Sequence, residues 1–175
     1  MELYETFGEF DSVEEINKTA AGLLKEGDID SLKVLAKENG IEEDDVEDYI
    51  NGEFDELATE MMAAEGKITI EKEYLKLTEA LEDYADWIIQ EAMEDRQLAK
   101  AVRKKGKSLA GALGQVLKAA WDIKAPIHKD ILKAAGIKCG RVESGSPGMK
   151  TTTKLMREYY LGGADNGSEQ TAQEN

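Results

Sequence analysis

The chain contains little cysteine, histidine and proline, and each shortage excludes a class of protein. A single cysteine, Cys139, cannot form an internal disulfide framework, and with His128 as the one histidine it cannot complete a usual zinc site. No apolar run reaches the roughly 18 residues that a membrane span requires. The first residues lack the basic-then-apolar pattern of a signal peptide, so we expect a cytoplasmic protein. We expect neither a metal ion nor another cofactor.

The scarcity of proline, two in 175 residues, combines with abundant Ala, Leu, Glu and Lys to favour helices. Capping signals support this, beginning with the box formed by Ser12 and Glu15. We therefore predict an all-α fold, a compact multi-helix domain without a competing strand pattern. The predicted helices cover 13–26, 30–38, 42–50, a short segment ended by Gly66, 71–94, 96–105, 109–121, 126–135 and a last segment that carries Leu155, Met156, Tyr159 and Tyr160.

Apolar residues at helical spacing predict which faces are buried. The stripe of the long helix 71–94 consists of Tyr74, Leu77, Leu81, Tyr84, Ile88 and Ala92, and that of helix 109–121 consists of Leu109, Leu113, Val116, Leu117, Ala120 and Trp121. Trp87 and Trp121 both lie on such stripes, which favours positions in the core. Residues 67–70 are the one stretch for which an extended conformation is an alternative.

Charge is divided unevenly along the chain. Residues 1–95 hold 30 acidic and 7 basic residues, a balance of −23, whereas residues 96–161 hold 15 basic and 4 acidic residues, a balance of +11. The last 14 residues add three acids, which gives the net charge of −15. We predict an acidic helical part (1–95), a basic helical part packed on it (96–161) and a disordered polar tail (162–175). Such asymmetry indicates contact with nucleic acid or another charged partner, or mutual neutralisation of the two parts.

One segment of the acidic part has the spacing of a helix-turn-helix motif. It runs from Leu35 to Ile41 and continues to Val46. The small residue Ala36 would allow two helices to cross closely, and Gly40 would supply the turn. A generic helical hairpin has the same requirements and is the alternative. A second, weaker copy consists of Leu132, Gly136, Ile137 and Val142.

The second helix of the first copy begins with a run of acids. These candidate partner-binding residues are Glu42, Glu43, Asp44, Asp45, Glu47 and Asp48. In a DNA reader the start of this helix faces bases and phosphates, which would repel the six carboxylates, so an ordinary DNA reader is excluded. Stabilisation of a helix N-terminus by negative charge accounts for two or three of them. The excess favours a surface that imitates nucleic-acid phosphates and occupies a cationic groove on another protein.

The basic part contains a segment similar to the end of a phosphate-binding loop, Gly106-Lys107-Ser108. The earlier glycine that such a loop requires is replaced by Ala101, and the preceding segment is helical, so we exclude a nucleotide site. Contact with RNA or DNA phosphates is a hypothesis for five residues, with a solvated basic face as the alternative. They are Lys104, Lys105, Lys107, Lys138 and Arg141.

The sequence offers no catalytic constellation. His128 has no second histidine or cysteine near it along the chain, which favours a surface or capping role, and no pair of carboxylates stands out from the acidic background. We therefore predict that the protein is not an enzyme.

Several segments, taken in order, are similar to those of a known family. They are Leu35–Ile41 with the acidic helix through Ile50, Ala101–Leu109, Lys133–Ile137, Pro147–Met149 and Arg157–Leu161. Over about residues 20–161 the combination resembles anti-CRISPR proteins, small proteins of phages and mobile elements that inhibit the type II CRISPR effector nuclease (Cas-nine). The resemblance implies an inhibitor that binds the guide-RNA-loaded nuclease and blocks target DNA binding or cleavage. It assigns no contact residues.

Two other functions stay open at this point. One is a nucleic-acid-binding accessory or regulatory protein of a mobile element, acting through its basic C-terminal helices. The other is a helical adaptor without any connection to nucleic acid. The oligomeric state is also open, because the apolar stripes could be covered within one chain or between two.

Overall fold

The protein is described by a computed structural model that covers residues 3–162. Helices form most of this part of the chain, which confirms the all-α prediction. Among these residues the elements are α1 (Val13–Glu26), α2 (Ile29–Glu38), α3 (Glu43–Asn51), α4 (Glu60–Leu75), α5 (Ala80–Glu94), α6 (Arg96–Arg103), α7 (Leu109–Asp122), β1 (Ala125–Pro126), α8 (Lys129–Ala134), β2 (Glu143–Ser144) and α9 (Met149–Leu161).

Side-chain caps fix the start of most helices. At α1, Ser12 Oγ accepts the Glu15 N–H at 3.4 Å, and the Glu15 carboxylate accepts the Asp11 N–H at 2.9 Å. The serine half of the predicted capping box is therefore present, whereas Glu15 accepts the N–H of Asp11, the residue before the cap, instead of that of Ser12. Side chains also cap α2, α4, α6, α7 and α8 through Asp28, Thr59, Asp95, Ser108 and His128.

Gly66 does not end a helix, and residues 67–70 are not extended, because both lie within α4. The glycine is required for a different reason. A Cβ atom on Gly66 would lie 2.2 Å from the Asn39 carbonyl oxygen, and one on Gly40 would lie 2.4 Å from the Gly66 oxygen. The turn after α2 thus packs directly on the backbone of α4, and a side chain at either glycine would prevent this approach.

The predicted long helix 71–94 is interrupted. Helix α4 ends at Leu75, Lys76 takes the left-handed conformation with φ 52°, and α5 begins at Ala80. No glycine or proline marks the break in the sequence. The apolar stripe continues across it because both helices contribute to one core, with Leu77 between them also packed against it. Tyr74 and Leu81, predicted to be buried, are exposed.

The buried face of α7 ends earlier than predicted. Leu109, Leu113 and Val116 are buried, but Leu117 and Trp121 are 69% and 66% exposed. The prediction that Trp121 lies in the core is therefore wrong. Helices α4 and α9 pack along α7, whereas within residues 3–162 nothing covers the exposed face of its last turn. Trp87 of α5 is half-buried against the core, as its stripe indicates.

The segment that follows α7 also differs from the prediction. Pro126 lies in β1 instead of starting a helix, and α8 starts at Lys129 after the cap residue His128. Strand β1 pairs antiparallel with β2. The prediction of a second hairpin around Gly136 is wrong, because no helix lies between the turn at Gly136 and β2. The tail prediction concerns residues that, beyond Gly162, lie outside the described part of the chain.

Two apolar clusters form the core. The first joins α1, α2 and α3 with Leu57, Ala58 and Ala63. The second joins α4 through α7 with α9, around residues such as Ile68, Leu98 and Met156. The clusters meet along α4, so packing does not follow the change of charge at residue 95. The predicted domain boundaries stay predictions.

Buried polar side chains join the two clusters. Arg103 Nη2 donates to Asn39 Oδ1 at 2.9 Å, and Asn39 Nδ2 donates to the Leu35 carbonyl at 2.8 Å. Nearby, burial lowers the pKa of Lys67 and raises that of Glu71. The α2–α3 turn is therefore tied to α6 by hydrogen bonds with no solvent exposure.

Candidate functional site

Helices α2 and α3 form the predicted hairpin. Gly40 has φ 66°, and the Ile41 N–H donates to the Ala36 carbonyl at 3.0 Å, which closes the turn. Val46 packs back into the cluster that also contains Leu35. The predicted hairpin is therefore present, and the buried residues of both its helices belong to one apolar cluster with α1.

The acidic surface, defined as Glu42, Glu43, Asp44, Asp45, Glu47 and Asp48, follows from this packing. Val46 and Tyr49 occupy the buried side of α3, so the carboxylates are directed away from the core. Glu42, Glu43, Asp44 and Glu47 are exposed, and the other two are half-buried. Within residues 3–162, none of the six side chains forms a hydrogen bond or an ion pair. The exposed acids Glu53, Asp55 and Glu56 follow directly in the chain.

A cleft of about 430 Å³ lies beside this surface, between α2, α3 and α4. Its wall combines apolar side chains with the acids Glu42, Glu43 and Glu47. Lys33 and Lys37 of α2 line the same cleft, but among residues 3–162 neither approaches a carboxylate within 4.0 Å. Within this part of the chain the acidic surface therefore has no direct ion pair even where basic residues are near.

The basic turn, residues 104–107, binds carboxylates of the same chain. The Lys105 N–H donates to Asp11 at 3.1 Å, and the Gly106 N–H donates to Glu9 at 3.2 Å. The buried Lys67 Nζ donates to Glu9 at 2.6 Å and to the Lys104 carbonyl at 2.9 Å. Backbone N–H groups of the kind that hold phosphate in a nucleotide-binding loop are thus already hydrogen-bonded.

Lys107 has a structural role that the sequence did not predict. Its Nζ donates to the carbonyls of Tyr159 at 2.7 Å and Gly162 at 2.9 Å, at the C-terminal end of α9. A lysine at this position satisfies carbonyl groups that have no partner within the helix. The side chains of Lys104 and Lys105 are exposed.

Lys138 and Arg141 lie in a different part of the molecule, the arm, defined as residues 117–146. The arm consists of the last six residues of α7 and most of the segment that connects α7 to α9, with β1, α8 and β2. Both side chains are exposed, and Arg141 pairs with Glu143 at 2.5 Å. The five predicted nucleic-acid contacts therefore divide into three residues on the basic turn and two in the arm.

The exposure of the arm differs from what its apolar periodicity predicts. None of its residues is buried, although Leu117, Trp121, Ile123, Ile131 and Ile137 are large and apolar. The stripe on α7 continues into the arm without a change of period, so periodicity alone predicted a core helix. A usable signal was the lysines that accompany these apolar residues: residues 109–116 contain none, whereas residues 117–146 contain five.

No helix between residues 3 and 162 is long and apolar enough to cross a membrane. The same residues contain no cluster of three His, Cys, Asp or Glu side chains that could hold a metal ion. The chain matches no known family model, and comparison with curated proteins and with solved structures finds no match either.

Proposed function

We propose that this protein is an anti-CRISPR inhibitor that binds the guide-RNA-loaded type II CRISPR effector nuclease and blocks target DNA binding or cleavage. It acts by binding, without catalysis, in the cytoplasm of a bacterial host. The acidic surface on α3 occupies part of the positively charged channel that otherwise holds nucleic acid. The choice of the nuclease as target rests on the family resemblance, and the choice of the α3 surface as the binding site rests on the structure.

The observation that carries the proposal is that the acidic surface has no ion-pair partner among residues 3–162. The two oppositely charged parts of the chain do pair with each other elsewhere, where Arg96 contacts Glu60 and Arg157 contacts Asp95. These contacts involve α4 and the end of α5, so the charge of α3 is not compensated by them. Unpaired like charges repel one another, which costs stability unless a cationic partner compensates.

The target has a suitable chemistry. A type II effector nuclease holds its heteroduplex in a positively charged channel and recognises a short flanking duplex with arginines. Opposite charges increase the rate of encounter, and this attraction weakens with salt. Because the backbone of the hairpin is fixed by its core, binding requires no ordering of that backbone and avoids this part of the entropic cost.

The direct test is cleavage of target DNA by purified nuclease and guide, with and without the protein. We expect inhibition that is stronger when the protein meets the guide-loaded nuclease than when it meets the nuclease alone. Undiminished cleavage at a large excess of the protein would refute the proposed function.

The acidic surface is tested by charge reversal with a matched control. Replacing Glu42, Glu43, Asp44 and Asp45 together with lysine should weaken inhibition at least tenfold, because like charges then meet. The control replaces four other exposed acids with lysine and changes the net charge equally: Glu26, Asp30, Asp83 and Glu94. Equal losses in the two variants would show that net charge alone matters and would remove the role of the α3 surface.

A second function is supported by the arm. Its exposed basic residues, among them Lys138 and Arg141, fit a nucleic-acid-binding accessory or regulatory protein of a mobile element. Binding to free nucleic acid with a steep salt dependence, together with no effect on the nuclease, would favour this function over the first.

A further inference from the structure

The arm exposes apolar side chains that a stably folded domain normally covers. Leu117, Trp121 and Ile131 are all more than 60% exposed, and no residue from 117 to 146 is buried. Single exposed apolar residues are common on protein surfaces, but a concentration of them marks an interaction site. The ordering of this segment is supported by two short paired strands and by backbone hydrogen bonds, of which the Ile127 N–H to the Val142 carbonyl is one, at 2.9 Å.

The arm is basic as well as apolar. It contains six basic residues, Lys118, Lys124, Lys129, Lys133, Lys138 and Arg141, against three acids. At its start, Lys124 Nζ lies 3.4 Å from the centroid of the Trp121 ring. This cation–π contact holds a positive charge beside an aromatic surface that is otherwise open to solvent. The basic turn, in contrast, has the carboxylates of Glu9 and Asp11 against its backbone.

We propose that the arm binds single-stranded nucleic acid, with Trp121 as a stacking surface for a base and the lysines as phosphate contacts. An aromatic side chain in a basic groove is the combination that single-strand-binding proteins use. Protein–protein interfaces, by comparison, are depleted in lysine. A single strand also fits the arm because its unpaired bases supply apolar surface that can pack on the exposed Trp121 ring.

This inference deepens the proposed function and rests on it for its biological setting, since a guide-loaded nuclease exposes nucleic acid beside its channel. The inhibitor would then contact the protein with its acidic surface and nucleic acid with its arm. Recognition of both would explain a preference for the loaded complex over the free nuclease.

Tryptophan fluorescence tests the arm directly, because the chain has two tryptophans that differ in position. Trp87→Phe leaves Trp121 as the one emitter, and Trp121→Phe leaves Trp87, which is half-buried in α5. Titration with a short oligouridylate at low salt should quench the Trp87→Phe protein and leave the Trp121→Phe protein unchanged. Absence of quenching at Trp121, or equal quenching of both variants, would overturn the proposal.

Affinity measurements separate stacking from charge. Trp121→Ala should weaken oligouridylate binding by roughly 5- to 100-fold, the range expected for loss of one stacked base. Replacing Lys138 and Arg141 with glutamine should reduce the slope of log affinity against log salt concentration by about one for each lost phosphate contact. The same change at Lys104 and Lys105 should leave this slope unaltered. A change at Lys104 and Lys105 that abolished binding would assign the contact to the basic turn instead.

Two further probes test whether the arm binds a ligand other than single-stranded nucleic acid. A duplex of equal charge should quench Trp121 much less, because its bases are not free to stack on the ring; equal quenching would overturn the single-strand assignment. Phosphatidylglycerol vesicles that shift Trp121 emission where oligouridylate does not would assign the arm to a membrane surface.

The relation of the arm to the proposed function is tested separately with Trp121→Ala. If this variant loses oligouridylate binding but still inhibits the nuclease, the proposed function is retained and the arm has no part in it.

Discussion

The α2–α3 hairpin and the arm carry opposite charges and differ in how they are packed: the hairpin lies on buried residues, and the arm does not. Below the hairpin, Leu35, Val46 and Tyr49 are buried and Asn39 is hydrogen-bonded to Arg103. Among residues 3–162 the arm has no buried side chain, and large apolar residues such as Leu117, Trp121 and Ile131 are exposed. The acidic surface is therefore held in place by the fold, whereas the arm has the composition of an interaction surface without the packing that fixes one.

This difference predicts two modes of binding. A surface on a packed hairpin keeps its shape on binding, and its affinity depends on charge complementarity. A segment without a core loses conformational entropy when it binds, which lowers the affinity for a given contact area. The following variants test whether the contrast in support is real.

The largest expected effect comes from removing apolar side chains from the two regions in parallel. Leu35→Ala should lower the free energy of unfolding by about 2–5 kcal/mol, because it leaves a cavity under the hairpin. Ile131→Ala, a change of similar size in the arm, should alter it by less than about 0.5 kcal/mol. Urea unfolding followed by circular dichroism measures both, and a loss at Ile131 comparable to that at Leu35 would show that the arm has a core of its own.

A smaller effect is expected at glycines on the helices that support the two regions. Gly66→Ala should destabilise the protein by about 1–3 kcal/mol, because the added Cβ would meet the Asn39 carbonyl oxygen and displace the hairpin turn. Gly114→Ala in α7 meets no atom within 4 Å and should stabilise by about 0.5–1 kcal/mol. Thermal unfolding of the two variants compares them; stabilisation by both would contradict the close contact between the turn and α4.

The smallest effect is a pH dependence at Asp95, which connects α6 to the helix that follows the arm. Arg157, and then the N–H groups of Leu98 and Gln97, lower the pKa of this half-buried carboxyl. A lowered pKa in the folded state stabilises the fold above the ordinary aspartate pKa, about 3.9, and this stabilisation is lost as the pH falls through the folded pKa.

Asp95→Asn should therefore be less stable than the parent at neutral pH, with a difference that shrinks in acid. Unfolding measured across a pH series gives this difference. Asp44→Asn is the control, since Asp44 has no hydrogen-bond or ion-pair partner within the described residues. A difference at Asp95 that did not change with pH would assign the effect to geometry and not to charge.

Helix starts and the hairpin could be predicted from the sequence because their causes are local. Ser12, Asp28 and Ser108 accept hydrogen bonds from residues three positions later, and Gly40 supplies a left-handed turn between apolar residues. These signals act over a few residues and do not depend on what the helix packs against. The all-α class follows from the same local preferences.

The errors concern residues whose role depends on distant neighbours. Gly66 could end a helix or permit close contact with another backbone, and the two roles look the same without knowledge of Asn39 and Gly40. Trp121 has the right period for a core position, but no helix covers it within residues 3–162. Lys67 and Arg103 counted toward charge in the sequence, yet both are buried and hydrogen-bonded.

For the candidate site, the sequence predicted the acidic run and its hairpin, and the structure adds that the six carboxylates have no ion-pair partner among residues 3–162. It could not separate Lys107, which caps α9, from the exposed Lys104 and Lys105, since the distinction depends on the Tyr159 and Gly162 carbonyls. The roles assigned to these residues in binding stay predictions.

The tie between Lys107 and the end of α9 has a mechanical consequence. Tyr159 accepts the Ser108 N–H at 3.1 Å and lies against Gly111, so the start of α7 meets the end of α9 and the two helices run antiparallel. The arm leaves this pair of helices at the opposite end. A force on the arm would therefore act along the axes of α7 and α9, and the hydrogen bonds of Lys107 would oppose sliding of one helix past the other.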